Sequence, residues 1–186
     1  MRAFIAIKLD LEVINDLMEI QQELKPRIKG IRWVKPELLH ITLKFLGEIK
    51  EENIDLLGQL LRELGNRTAS FNLSFSSLGA FPRQRDPRVI WIGVDEGAGE
   101  LYALARGIDQ LLLTHIILKK PDKSKFKPHL TLGRRNKHGE FYLHDRVFEE
   151  RWISNNTMNV KEFYLMQSTL YQSGPVYNPL KKILLK

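Results

Sequence analysis

Leu39-His40-Ile41-Thr42-Leu43-Lys44-Phe45-Leu46 reads as a single strand, and its central pattern returns 89 positions later as His129-Leu130-Thr131-Leu132. In each copy a His and the Thr two residues on are interleaved with large aliphatics. Side chains alternate across a strand, so His40 and Thr42 share one face while Ile41 and Leu43 share the other. His129 and Thr131 are divided from Leu130 and Leu132 in the same way. Pro36 precedes the first copy and Pro128 immediately precedes the second, as suits a strand entrance where a backbone donor can be spared. With five His and six Thr in 186 residues, random order gives roughly 0.16 His-x-Thr occurrences, so a doubled motif arises by chance in about one such chain per hundred. Two imidazoles and two hydroxyls are therefore offered to something other than the apolar core.

Outward from the motifs, strands and helices alternate. Ala3 to Leu9 is a buried strand, and Asp10 caps a helix carrying Leu11, Ile14, Leu17, Met18 and Leu24 until Pro26 stops it. Ile31 to Val34 and Leu39 to Leu46 are strands around a Lys35-Pro36-Glu37 turn, with Gly47 closing the second. Ile54, Leu57, Leu61 and Leu64 mark one face of a second helix that exits at Gly65-Asn66. Phe71, Leu73 and Phe75 alternate with polar residues, and they predict a strand pair with Arg88 to Val94 across the basic loop from Pro82 to Pro87. Leu101, Leu104, Ala105, Ile108, Leu111, Leu112 and His115 form the face of a third helix, with His115 a core or boundary residue. Segment 137–152 reads as a loop and short helix, while Met158 to Leu165, Thr169 to Tyr171 and Val176 to Leu184 read as extended. Such an order is α+β with antiparallel pairs, and a two-lobed pseudo-symmetric arrangement is natural.

Hydrophobic residues make up 43% of the chain, enough to bury one large core or one shared by two lobes. The net charge of +7 favours a polyanionic partner. The absence of cysteine excludes disulfides, thiolate zinc sites and Cys nucleophiles. The apolar run at the N-terminus is too short for a signal peptide and no stretch approaches a membrane span, so a cytoplasmic location is expected. Lysines at 119, 120, 123, 125 and 127 form a polar connection directly before His129. That connection reads as a solvated loop, placed where it can also meet a phosphate backbone.

Two imidazoles facing one cleft can serve as general base and general acid in one displacement, because each titrates near neutrality. Water attacking phosphorus loses a proton while the departing oxygen gains one, and this pairing needs no metal or other cofactor. Thr42 and Thr131 can donate hydrogen bonds to non-bridging phosphate oxygens.

The paired His-x-Thr motifs resemble those of the two-histidine (2H) phosphoesterase superfamily, and the surrounding sequence is similar to its RNA 2′,3′-cyclic phosphodiesterase branch, also called 2′-5′ RNA ligases. The similarity extends to Arg2-Ala3-Phe4-Ile5-Ala6-Ile7, to Arg32 through Glu48, to Gly79-Ala80-Phe81-Pro82 and Trp91-Ile92-Gly93-Val94, to Phe126 through Arg134, and to the tail from Leu170 to Tyr177. The resemblance implies one bilobal domain over 1–186, with two ferredoxin-like lobes and their antiparallel sheets around a central cleft, each lobe contributing one motif. It implies an RNA partner ending in a 2′,3′-cyclic phosphate, hydrolysed to a 2′-phosphate. It also implies a reverse reaction joining such an end to a 5′-hydroxyl through a 2′-5′ linkage without ATP. Residue by residue, it makes His40 and His129 the acid–base pair, Thr42 and Thr131 phosphate donors, and Arg134 a basic residue near the phosphate. Strict alternation puts Arg134 on the face opposite His129, so that role requires the strand to end or bulge near Gly133. The working assignment is His40 as acid, facing the O3′ leaving group, and His129 as base; the direction is left open.

Lys44 shares the predicted strand face of His40 and Thr42 and is a candidate substrate contact. Phe45, Phe81, Trp33 and Tyr171 could stack on a base, with core packing the plainer role for each. Two rival functions remain: an RNA-end-binding module without turnover, and a metal-dependent hydrolase built on His138, His144 and nearby acids, which lacks a compact ligand cluster in the sequence.

Overall fold

The computed structural model describes residues 1–115, 126–138, 140–144 and 146–186; of the lysine run, Lys119, Lys120, Lys123 and Lys125 lie outside the described residues. The strands in chain order are β1 (Arg2–Lys8), β2 (Ile28–Lys29), β3 (Ile31–Trp33), β4 (His40–Glu48), β5 (Phe71–Leu73), β6 (Phe75–Arg83), β7 (Asp86–Val94), β8 (His129–Arg135), β9 (Tyr142–Leu143), β10 (Met158–Val160), β11 (Glu162–Tyr171) and β12 (Gly174–Leu184). Among the described residues three α-helices join them: α1 (Leu11–Leu24), α2 (Ile54–Gly65) and α3 (Ala98–Thr114). The first sheet has the order β12-β11-β1-β4 and the second β3-β8-β7-β6, with all pairs antiparallel. The α+β expectation holds, and each four-stranded sheet carries one His-x-Thr strand.

Alternation explains the burial. Ile5, Ile7 and Ile41 in the first sheet, and Ile90, Ile92, Leu130 and Leu132 in the second, are sealed in one continuous core with Leu17, Leu57, Leu61 and Ile108 from the helices. α2 lies on β12, where a side chain at Gly65 would collide with the Leu184 carbonyl. The other two helices cross over. α1 follows a strand of the first sheet, yet its buried Gln21 donates from Nε2 to the carbonyls of Val34 and Leu132, both at 3.0 Å, beside the second sheet. α3 lies between β7 and β8 in the chain, yet its Asp109 pairs with Lys44 of β4 in the first sheet. Among the described residues no helix is long and apolar enough to cross a membrane.

Several expectations shift at element ends. β4 runs through Gly47 to Glu48, the left-handed φ of +70° at Gly47 being one that glycine adopts without strain. The expected basic loop 82–87 is mostly strand, because β6 and β7 pair as far as Arg83 and Asp86. Segment 137–152 holds a short strand and turns in place of a helix among its described residues. Leu11 is exposed at the first turn of α1, and His115 is exposed at the end of α3.

Candidate active site

Both His-x-Thr strands break their alternation at the same step. Along β1 and β4, Ile5 pairs with Lys44 but Ala6 pairs with Thr42, leaving Leu43 as an extra residue. Along β7 and β8, Ile90 pairs with Gly133 but Trp91 pairs with Thr131, leaving Leu132 as the extra residue. A bulge of this kind puts two consecutive side chains on one side and reverses the face of everything beyond it. Leu43 and Lys44 are accordingly both buried, as are Leu132 and Gly133, and the next residue in each strand, Phe45 or Arg134, turns to the face of its His and Thr. The condition set for Arg134 by the sequence is met by the bulge at Leu132.

The second bulge is held from outside. The Leu132 carbonyl accepts the Val34 N–H at 2.8 Å as well as the Gln21 amide. A Cβ on Gly133 would stand 2.4 Å from the Ile31 side chain, so the residue after the bulge has to be glycine for β3 to lie alongside. At the matching step of the first copy Lys44 has room for its side chain. It runs inward, 7% exposed, to an ion pair with Asp109 at 2.7 Å. The expectation that Lys44 touches substrate is thereby corrected. Simple alternation would have given it the face of His40, and the bulge at Leu43 turns it away.

His40, Thr42, His129, Thr131 and Arg134 line a single cleft of about 690 Å³ between the two sheets. Arg2, Arg32, Lys35 and Glu37 add charge to its wall, and Trp33, Phe45 and the β11–β12 hairpin from Gln172 to Tyr177 add contact surface. Phe45 is 67% exposed, although it sits in a strand interior, so the core-packing role does not apply to it. Phe81 instead packs against His129, and Tyr171, at the hairpin tip, is exposed without lining the cleft.

Each imidazole is oriented alike. His40 Nδ1–H donates to the Leu38 carbonyl at 2.7 Å, and His129 Nδ1–H to the Lys127 carbonyl at 2.6 Å. A carbonyl can only accept, so Nδ1 carries the proton in both rings and Nε2 is left for acid–base work. His40 Nε2 lies 3.0 Å from Thr42 Oγ1. Two aromatic rings bracket each histidine: Phe4 and Tyr177 with centroids 5.1 and 5.2 Å from His40, and Phe81 and Trp91 at 5.0 and 5.9 Å from His129. Burial pushes both imidazoles below their ordinary value; the bonds to backbone carbonyls oppose this, and the positive charge of Arg134 lowers both further. Lys127 adds to the lowering at His129.

Sequence reasoning missed Gln21 and the brackets formed by Phe4, Tyr177 and Trp91. Gln21 carried a signal, being polar on the apolar stripe of α1 between Leu17 and Leu24. Phe4 and Tyr177 face the cleft from strands whose apolar character alone suggests core. Neither His138 nor His144 lines the cleft, and among the described residues no three His, Asp or Glu side chains gather in a group that could hold a metal ion.

Two antiparallel sheets each deliver a His-x-Thr strand to one cleft, as the resemblance to the 2H phosphoesterases implies. The model of the LigT-like phosphoesterases matches residues 7–91. An RNA 2′,3′-cyclic phosphodiesterase of Archaeoglobus fulgidus is 38% identical over 97% of this chain and 98% of its own length, and one of Aquifex aeolicus is 34% identical over 92% and 91%. Among solved structures, TT0787 of Thermus thermophilus superposes with a TM-score of 0.83 at 33% identity, covering 100% of this chain and 98% of that one. LigT of E. coli in its apo form gives 0.80 at 26% identity, covering 100% and 97%. The chain belongs to the LigT-like phosphoesterase family.

Proposed function

We propose that this protein is an RNA 2′,3′-cyclic phosphodiesterase that opens a terminal cyclic phosphate to a 2′-phosphate by two-histidine acid–base catalysis. We read residues 1–186 as one bilobal unit with one motif per lobe. The observation that carries the reading is the pair of imidazoles, each tied through Nδ1 to a backbone carbonyl two residues upstream, on the wall of one cleft that also holds Arg134. The curated relatives bearing this activity in their names match nearly the whole chain.

In the proposed reaction water attacks phosphorus opposite O3′. His129 Nε2 takes one water proton, the P–O3′ bond breaks, and His40 Nε2 delivers its proton to O3′. The second water proton stays on the new phosphate. Thr42, Thr131 and Arg134 hold the non-bridging oxygens and stabilise the charge that builds on them. Phe45 offers a face to the terminal base, and the basic wall of Arg2, Arg32 and Lys35 attracts the RNA backbone. Run in reverse, with a 5′-hydroxyl in place of water, the same groups form a 2′-5′ linkage without ATP.

The test is an RNA oligonucleotide ending in a 2′,3′-cyclic phosphate, incubated with and without chelator. The expected product is the 2′-phosphate at equal rates in both. His40→Ala and His129→Ala should each lose most turnover while keeping the wild-type fold by circular dichroism. Retained RNA binding with no product from the wild-type protein would favour the rival binding module, and activity that chelator abolishes and metal restores would favour the metal-dependent hydrolase.

A further inference from the structure

The two histidines are equivalent in backbone and differ in what stands behind them. The carbonyl two residues upstream fixes Nδ1 in both, but it belongs to Leu38 in the first copy and to Lys127 in the second. The Lys127 ammonium folds back over the aromatic bracket of its own histidine, with Nζ 4.1 Å from the Trp91 ring centroid and 5.9 Å from that of Phe81. Those two rings are the ones packed on His129. Lys127 thus meets His129 twice, directly by its carbonyl on Nδ1 and indirectly by a cation on the two rings that pack against the imidazole. The matching bracket of His40 is Phe4 and Tyr177, and the side chain at the matching position, Leu38, has no charge.

We propose that Lys127 is the positioning residue that breaks the symmetry between the two histidines: its cation, held over the Trp91 and Phe81 rings, keeps His129 neutral as proton acceptor and leaves His40 as proton donor. This rests on the acid–base reading above and names a residue that supports the direction given there. Among the described residues, the charged or titratable groups facing His129 are Lys127 on the segment entering β8, Arg134 on β8 itself, and His40 and Tyr177 on the same cleft; β6 and β7 present Phe81, Trp91 and Gly93. Arg2, Arg32, Lys35 and Glu37 complete the charged wall. Arg134 acts on both histidines, and burial acts on both. Of the two, Lys127 lowers His129 and not His40.

Three variants, Lys127→Gln, Lys127→Met and Lys127→Arg, test this against the wild type by two readouts. NMR titration of the histidine ring protons in the free protein should show His129 raised by about half a pH unit in the Gln and Met variants, His40 unmoved, and the Arg variant like wild type. In the pH profile of kcat/KM on a cyclic-phosphate RNA, the acidic limb should move up by the same amount while the alkaline limb stays, narrowing the bell. A shift of the alkaline limb would make His129 the acid and overturn the assignment. An unmoved His129 resonance would show that the cation does not act on the ring and would also overturn it. Wild-type protein without turnover would sink the phosphodiesterase reading, and the NMR titration would still decide whether Lys127 controls His129.

Discussion

Replacing Lys44 by Met separates a structural role from a substrate role at the first motif. Lys44 is 7% exposed and meets Asp109 at 2.7 Å, while the Asp109 side chain keeps 39% of its surface in water. Stranding one member of a fully sealed ion pair costs about 3–5 kcal/mol. Here the Asp109 oxygen that meets the ammonium is buried but the rest of its side chain reaches water, and Met retains the packing of the lysine stem, so a loss of about 2 kcal/mol is expected. In a chain of this size that lowers the melting temperature by roughly 4–8 °C. The double variant Lys44→Met with Asp109→Leu should recover part of the loss, because the Asp109 carboxylate is then no longer left without its ammonium. Thermal melts of the three proteins followed by circular dichroism provide the measurement, with kcat and KM on cyclic-phosphate RNA taken well below the transition. Both constants should stay within about twofold of wild type, since Lys44 is turned away from the cleft. An unchanged melting temperature with a tenfold higher KM would refute the reasoning and restore Lys44 as a substrate contact.

Arg134→Gln removes a charge that holds both imidazoles down, so both limbs of the kcat/KM profile should move to higher pH, from a wild-type bell centred below the ordinary imidazole value; kcat should also fall by roughly 10²–10³, the loss typical of one transition-state charge donor. Limbs that stay in place would place Arg134 outside the field of the histidines. Gln21→Leu removes the amide that holds the Leu132 carbonyl and leaves the Val34 carbonyl short of a donor, costing about 1–3 kcal/mol by denaturant unfolding, together with a drop in kcat as Arg134 loses its support. Full stability and activity would show that the bulge holds itself. Phe45→Ala should raise KM for cyclic-phosphate RNA by roughly 10-fold, the worth of one stacked base, without lowering stability, since the ring is exposed. An unchanged KM would remove Phe45 from recognition.

The strands that carry the motifs, the three helices and the antiparallel α+β character were legible because apolar periodicity is a local signal. Thr42 and Thr131 were assigned their faces correctly for the same reason. What was hidden depended on register. The extra residue at the matching step of each motif strand, Leu43 or Leu132, reverses the faces of the residues next to it, and that reversal decides the fates of Lys44, Phe45 and Arg134 together. Gly133 hinted at the second bulge; nothing in Leu43-Lys44 signalled the first. Among its described residues the helix expected within 137–152 is absent, and the segment instead makes turns and tertiary bonds, the His144 backbone N–H donating to the Arg27 carbonyl and the Arg27 guanidinium to Glu150. The bracket of Phe4 and Tyr177 around His40 joins residues from opposite ends of the chain, a proximity that no local pattern reveals.

The interleaving of the two sheets has a consequence for how the molecule can come apart. The first sheet draws strands from Arg2–Lys8 and His40–Glu48 and again from Glu162 to Leu184; the second draws on segments from Ile31 to Val94 and on His129–Arg135. A single scission between Val94 and His129 therefore leaves no fragment with a complete sheet, and α3, which both precedes and follows strands of the second sheet, braces the first. Neither sheet is therefore contained in one contiguous stretch of the chain. Both histidines reach their working positions only when the whole chain has closed.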